Sequence, residues 1–281
     1  MREVKAMQET AREVRLKGKR IGVVPTMGAL HQGHLSLIRL ACHHADYVIT
    51  TIFVNPTQFS PQEDLERYPR PFEKDVELAG GAGSHCIFAP AVGEMYPPGF
   101  ETSVMVDHLT AVLEGASRPT HFRGVTTIVT KLLLCTQPDL AVFGQKDGQQ
   151  VAVIKRMTVD LNLPVEILIG PTIRETDGLA LSSRNAYLTP EQRNQAPILY
   201  RALRLGEDLI SGGERSCAAV LERVHDMITR GSTGAVDYVS IADAGTLDEQ
   251  VILQSRTRVM VSLAVRFGTT RLIDNVIVPV P

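Results

Sequence analysis

The stretch Ile21-Gly22-Val23-Val24-Pro25-Thr26-Met27-Gly28-Ala29-Leu30-His31-Gln32-Gly33-His34 decides how the rest of the chain is read. Residues 21–24 form a short apolar run of the kind found in a buried strand. Gly28 and Gly33 in the turn that follows let the backbone bend tightly and approach a ligand. Residues 35–42 then place apolar side chains at helical spacing. Strand, glycine-containing turn and helix in this order open a βαβ unit. In sheets built from such units, ligands bind beyond the carboxyl ends of the strands.

Outward from this stretch the same alternation repeats. Residues 48–54, 86–89, 140–143 and 165–169 read as strands, with a further one at 104–106, and 71–79, 125–136 and 149–161 read as helices. The pattern predicts an α/β class, with a doubly wound parallel sheet. After residue 188 the character changes. Thr189-Pro190-Glu191-Gln192 is a helix start, with Thr as N-cap, Pro in the first turn and Gln three residues after the cap. Helix is expected to continue to 210, and again over 217–229, until Gly231-Ser232-Thr233-Gly234 breaks it. Strands are expected at 236–241, 258–265 and 271–278, giving a second, smaller α+β C-terminal domain. The boundary falls near 175, so the expected domains are 1–175 and 176–281.

The 281 residues are 44% hydrophobic and 21% charged, enough for a sizeable core and too apolar for a disordered chain. The formal net charge of −2, from 29 basic and 31 acidic residues, gives no footprint for nucleic acid or an anionic membrane. Any polyanion must be gripped by a few placed cations. Cys42, Cys86, Cys135 and Cys217 form no CxxC pair and read as buried thiols in a reducing compartment. The N-terminal residues to about Lys17 are mixed in charge and helix-like, without an apolar signal region, and no run approaches the roughly 18 apolar residues of a membrane span. The expected location is cytoplasmic.

Four polar turns at or near strand ends can do chemistry. At the first, a helix N-terminus offers unpaired N–H groups to a phosphate. His31 and His34, three apart, share a face and can donate hydrogen bonds to a triphosphate as charge builds on the leaving pyrophosphate. Two solvent-facing histidines at a helix start are the plain alternative; zinc is another, since His43 and His44 follow, but no cysteine or carboxylate nearby completes a four-ligand set. At the second, Val54-Asn55-Pro56-Thr57-Gln58-Phe59, the neutral amides of Asn55 and Gln58 suit a hydroxyl-bearing carboxylate; an ordinary Asn-Pro turn is the alternative. At the third, Phe143-Gly144-Gln145-Lys146-Asp147-Gly148-Gln149-Gln150, Lys146 can meet a phosphate, and Asp147 can hold magnesium, bind a ribose hydroxyl or cap a helix. Gln150 matches Gln58 in chemistry. At the fourth, Leu181-Ser182-Ser183-Arg184-Asn185, two hydroxyls and a guanidinium suit a polyphosphate, and a polar interdomain loop is the alternative. Arg118 or Arg123, in a basic turn before a helix, can meet an anionic substrate or simply cap a surface.

The HxGH pattern resembles the HIGH motif of the nucleotidyltransferase superfamily, which includes class I aminoacyl-tRNA synthetases, and the fourth turn resembles its KMSKS-type loop. Together, PTMGALHQGH, FVNPTQF, DLERYPR, RPTHFRGV, FGQKDGQQ and LSSRNAYL resemble, in order and spacing, the pantothenate synthetase (pantoate–β-alanine ligase) family. The resemblance covers 22–188 closely. It implies a Rossmann-like N-terminal domain, a smaller C-terminal lid and a homodimer. It also implies a two-step reaction with ATP and Mg2+: pantoate becomes pantoyl-adenylate with release of pyrophosphate, then β-alanine displaces AMP.

Carried over by motif, Met27, Gly28, Ala29, Leu30, His31, Gln32, Gly33 and His34 would line the ATP site, with His34 as proton donor. Gly144, Gln145, Lys146, Asp147, Ile173, Leu181, Ser182, Ser183 and Arg184 would also contact ATP. His31, His34, Lys146 and Arg184 are the expected catalytic set. Gln58 and Gln150 would hold pantoate, with Gln58 also meeting β-alanine; Asn55 and Arg118 would assist, and Tyr68 is a further carry-over. No protein ligand to the metal is fixed, and Asp75 and Asp147 are the candidates near it. This chain departs from the family's GEKD-aromatic pattern: Gln145 stands for the acidic residue and Gly148 for the aromatic one. The first change alters the charge beside Lys146, and the second is expected to loosen the helix start. Two rival readings are a nucleotidyltransferase of the same superfamily with another substrate, and a nucleotide-binding module without turnover.

Overall fold

The computed structural model describes residues 1–60 and 65–281. The chain divides into two units, Met1–Gly144 with Val153–Pro171, and Gln145–Ala152 with Thr172–Pro281. The second unit thus takes in residues 145–152, which the expected boundary near 175 had left with the first.

In the first unit the order is α1 (Val4–Leu16), β1 (Ile21–Thr26), α2 (Gln32–His44), β2 (Tyr47–Ile52), α3 (Phe72–Gly81), β3 (Cys86–Phe88), α4 (Val92–Met95), α5 (Glu114–Ser117), α6 (His121–Thr136), β4 (Leu140–Gly144), α7 (Gly148–Asp160) and β5 (Glu166–Gly170). The first turn of α7 belongs to the second unit. The strands form one parallel sheet in the order β3-β2-β1-β4-β5. Ile21 pairs with Tyr47 and Thr26 with Ile52, while Gly22 and Val23 pair with Leu140 and Ala141. The chain builds outward from β1 through β2 to β3, then returns to start β4 on the other side of β1. That reversal opens a crevice at the carboxyl ends of β1 and β4. Ile21, Val23, Val48, Ile49, Leu140 and Val142 have no exposed surface, which is why these strands read as unbroken apolar runs. Leu35, Ile38 and Ala41 of α2 join Val24, Val48 and Leu140 in one core cluster.

The second unit holds α8 (Pro190–Gln195), α9 (Ile198–Ser211), α10 (Cys217–Gly231) and the strands β6 (Ala235–Asp243), β7 (Arg258–Phe267) and β8 (Thr270–Pro279). The strands form an antiparallel sheet in the order β6-β7-β8, so β8 is an edge. Leu199 and Leu203 of α9 and Val220, Val224 and Ile228 of α10 share a core with Val261, Leu263 and Val265 of β7.

Three expectations need correction. Residues 104–106 are not a strand: the Val104 N–H donates to Thr127 Oγ1 at 3.0 Å and its carbonyl accepts from Thr126 Oγ1 at 2.6 Å, so threonine hydroxyls of α6 replace a strand partner. The helix expected over 189–210 is two helices. Pro197 lacks the N–H that a continuous helix would need there. The expected start does form a capping box, with Thr189 and Gln192 exchanging bonds of 3.0 and 3.3 Å. Cys135 and Cys217 are buried, but Cys42 and Cys86 are only half-buried. Burial pushes the Cys135 thiol up to about 11.

Ile38 has no exposed surface and packs where α2 meets the parallel sheet. Ile38→Ala is expected to lower unfolding stability in urea by about 2–5 kcal/mol. A loss below about 1 kcal/mol would show that this cluster does not hold α2 in place.

Candidate active site

The loop after β1 is held from beneath by one carboxylate. Asp75, in the first turn of α3, is 1% exposed. Its Oδ2 accepts the Ala29 N–H at 2.8 Å and its Oδ1 accepts the Leu30 N–H at 2.7 Å. Gly28 has φ +82°, and a Cβ there would lie 2.8 Å from Asp75 Oδ2, so both conformation and space require glycine. Ala29 follows with φ 51°. Gly33 has no such role, because it lies in the first turn of α2; the bend is made by Gly28 and Ala29.

His31 is the N-cap of α2. Its Nδ1 accepts the Gly33 N–H at 3.2 Å, and the Nδ1 of His34 accepts the His31 N–H at 3.3 Å. The two rings lie side by side, with centroids 4.1 Å apart. An imidazole nitrogen that accepts a bond carries no proton, so each ring keeps its proton on Nε2. The expected cradle of unpaired amides is therefore absent at these residues: Gly28 donates to Thr26 Oγ1, Ala29 and Leu30 to Asp75, and His31 and Gly33 to the rings. Both rings of this turn therefore have an Nε2–H that can donate.

The turn after β2 is built around Asn55, 1% exposed. Its Oδ1 accepts from the Thr57 N–H, the Thr57 hydroxyl and the Tyr96 hydroxyl, the last at 2.8 Å. Its Nδ2 donates to Gln58 Oε1 and to the Gly124 carbonyl of α6, both at 3.1 Å. Every position of this amide is in use, so Asn55 shapes the turn instead of assisting with a substrate. Burial raises the pKa of the Tyr96 phenol, which stays a donor. Gln58 Nε2 lies 2.9 Å from Met27 Sδ, joining the turns after β1 and β2. The Gln58 carbonyl meets His121 Nδ1 at 2.8 Å and accepts from Arg118 Nη2 at 3.4 Å. Thr57, Tyr96 and His121 escaped the sequence reading as site residues. His121 lies inside the quoted RPTHFRGV motif, whereas Tyr96 gives no signal of its own. Tyr68 is buried with its ring edge-on to Phe59. Asp64, at the head of DLERYPR, lies outside the described residues.

In the second unit, Gln145–Asp147 form a single 3-10 turn. Lys146 Nζ is 3.5 Å from Asp147 Oδ1, and Gln150 is half-buried in α7. Gly148 is buried at the start of α7. The Asn275 amide of β8 donates to the Gln145 and Lys146 carbonyls and accepts from Gln145 Nε2. Ile173 and Leu181 are joined by a backbone bond of 3.0 Å at the base of a hairpin whose far arm leads to Ser182, Ser183 and Arg184. Ser182 Oγ accepts the Arg184 N–H at 3.3 Å. The hairpin is tied down by Arg174, which makes two bonds to Asp274 of β8, at 2.5 and 3.0 Å, and lies 3.8 Å over the Tyr200 ring. Arg193 bonds Glu175 and Asp177, and it holds the Asp177 carboxyl below its usual range.

Among the described residues no group of three or more His, Cys, Asp or Glu side chains could hold a metal ion. Asp75 does not suit magnesium, since it is buried and both oxygens are bonded to the loop. Asp147, about half exposed, can join a magnesium ion that arrives with phosphates.

A family model described as pantoate-beta-alanine ligase matches residues 1–277. The pantothenate synthetase of Moorella thermoacetica is 56% identical over 280 residues, covering 100% of this chain and 98% of its own. The crystal structure of pantothenate synthetase from Thermus thermophilus has a TM-score of 0.91 at 44% identity, with 98% of each chain covered. That of pantoate-beta-alanine ligase from Francisella tularensis, complexed with beta-gamma ATP and beta-alanine, has a TM-score of 0.79 at 32% identity and covers 98% of this chain and 96% of its own.

Asp75→Asn keeps one acceptor but turns an amide NH2 toward the other loop N–H. It is expected to destabilise the loop by about 1.5–3 kcal/mol. Amide exchange at Ala29 and Leu30 should accelerate roughly 10- to 10²-fold as a result. Unchanged exchange at both residues would show that the carboxylate does not hold the loop.

Proposed function

The chain belongs to the pantoate–β-alanine ligase family and is a ligase making the amide bond of pantothenate; we propose that it does so with ATP, by way of pantoyl-adenylate. The observation that best supports this reading is the family match over residues 1–277, joined to a loop that fixes two imidazole Nε2–H donors at the carboxyl end of β1.

A carboxylate resists attack by an amine because its leaving group would be oxide. In the first step, a pantoate carboxylate oxygen bonds to the α-phosphorus of ATP, and the bond from that phosphorus to the bridging oxygen breaks. Pyrophosphate leaves with the electron pair. In the second, the neutral amine of β-alanine bonds to the acyl carbon, the carbon–oxygen bond to phosphate breaks, AMP leaves and the nitrogen loses a proton. The first step brings a carboxylate up to a triphosphate, so placed positive charge is needed where negative charge develops.

The first unit supplies His31 and His34 as neutral hydrogen-bond donors. His34 is not proposed as a proton donor in the strict sense. Giving up its Nε2 proton would leave an imidazolate, and a doubly protonated ring would lose the bond from the His31 N–H. Gln58, fixed by Asn55 and Met27, is proposed to orient pantoate and meet β-alanine without trapping either in an ion pair. Arg118 lends positive charge beside it. The second unit supplies Lys146, Arg184, and the hydroxyls of Ser182 and Ser183 for the phosphates, with Gln150 as a second neutral amide for pantoate. Gly144 and Ile173 are proposed to contact ATP through backbone. Magnesium bound with ATP, with Asp147 as the available carboxylate, would neutralise phosphate charge. A homodimer and a cytoplasmic location belong to the same reading; among the described residues no helix is long and apolar enough to cross a membrane.

Exchange of labelled pyrophosphate into ATP, without β-alanine, tests the reading. It should require pantoate, and Lys146→Ala should lower it by about 10²-fold or more. Exchange that ignores pantoate, or that survives intact in Lys146→Ala, would contradict the proposal.

A further inference from the structure

Lys146 sits in a turn that the side chain of Asn275 ties to the sheet of the second unit. This residue lies on the edge strand β8 and is 5% exposed. Its Nδ2 donates to the Gln145 carbonyl at 3.0 Å and to the Lys146 carbonyl at 2.8 Å, while its Oδ1 accepts from Gln145 Nε2 at 2.9 Å. The orientation of the amide follows from chemistry, because two carbonyls can be met only by the NH2 end. Its own N–H is taken by Asp274 Oδ1 at 2.8 Å.

Gly148 completes the fit. A Cβ at that position would lie 2.7 Å from Met260 Sδ and 2.9 Å from Asn275 Oδ1. Any larger residue must displace the amide or the methionine. The Gln145 side chain and the space above Gly148 thus both come up against the Asn275 amide.

We propose that Asn275 is a positioning residue for adenylate formation: by holding the Gln145 and Lys146 carbonyls it fixes the turn from which the Lys146 ammonium reaches the phosphates. In this role Asn275 acts through Lys146. The proposal rests on the reading of Lys146 as a phosphate-binding residue. Without the amide, the turn samples other conformations, and the ammonium is in place for a smaller fraction of the time.

A double-mutant cycle on pantoate-dependent pyrophosphate exchange separates this role from a general structural one. Asn275→Leu, similar in size and without hydrogen bonds, is expected to lower kcat by about 10-fold or more in the native background. In the Lys146→Ala background it should change kcat by less than about 2-fold, since nothing remains to be positioned. Equal losses in both backgrounds, or no loss in the native one while Lys146→Ala is impaired, would overturn the positioning role alone. Full exchange in Lys146→Ala by itself would overturn the reading of Lys146, and this proposal with it. Should Asn275→Leu fail to fold, Gly148→Ala disturbs the same amide from the helix side, and the same cycle with Lys146→Ala decides by the same outcomes.

Discussion

Two neighbouring backbone N–H groups, those of Ala29 and Leu30, point into one buried carboxylate, and the working edge of the first unit depends on that contact. A buried carboxylate is costly unless its charge is met by donors, and an alanine at φ 51° is strained unless something holds it there. Asp75 and the loop satisfy both needs at once. The result is a sharp exit from β1 that brings His31 into the N-cap position of α2. From there the geometry is largely forced. Each histidine spends its Nδ1 on a backbone N–H, so each presents a proton on Nε2. The tautomer, which decides whether these rings can donate to a phosphate, is thus set by helix capping.

The charges are distributed accordingly. Neutral donors sit on the first unit, in the turn after β1 and in the Gln58 amide locked by Asn55. The second unit holds Lys146 and Arg184, each on a segment tied to adjacent residues of one edge strand: Asn275 grips the Lys146 turn, and Asp274 grips Arg174 at the base of the Arg184 hairpin. Triphosphate chemistry needs cations, whereas holding pantoate and β-alanine needs orientation without strong pairing. The division is not strict, since Arg118 lies on the first unit and Gln150 on the second.

The sequence was most legible where local physics decides the outcome. The apolar runs of β1, β2 and β4, the turn at Gly28 and the Thr189–Gln192 capping box all form as their periods and residue types require. It was least legible where a distant group decides. Histidine is an unusual N-cap, and nothing near His31 shows that its ring will stand in for an aspartate. Asn55 looks like a substrate amide until Tyr96 and Gly124, 41 and 69 residues away, use up its bonds. The short run at 104–106 has strand composition, but the threonines that satisfy it lie on α6. That Asn275 and Met260 close in on Gly148 is likewise invisible in the residues around it. The break at Pro197 was local and readable; the strong apolar period on either side of it masked the missing N–H.

The most direct test of the account follows one oxygen. If a pantoate carboxylate oxygen attacks the α-phosphorus, and the amine later attacks the acyl carbon, that oxygen must leave with AMP. Turnover of carboxylate-labelled 18O-pantoate with ATP and β-alanine, followed by mass spectrometry of the nucleotide, should find one 18O atom in each AMP. Label appearing in pyrophosphate or inorganic phosphate, or AMP free of 18O while pantothenate accumulates, would contradict the adenylate route.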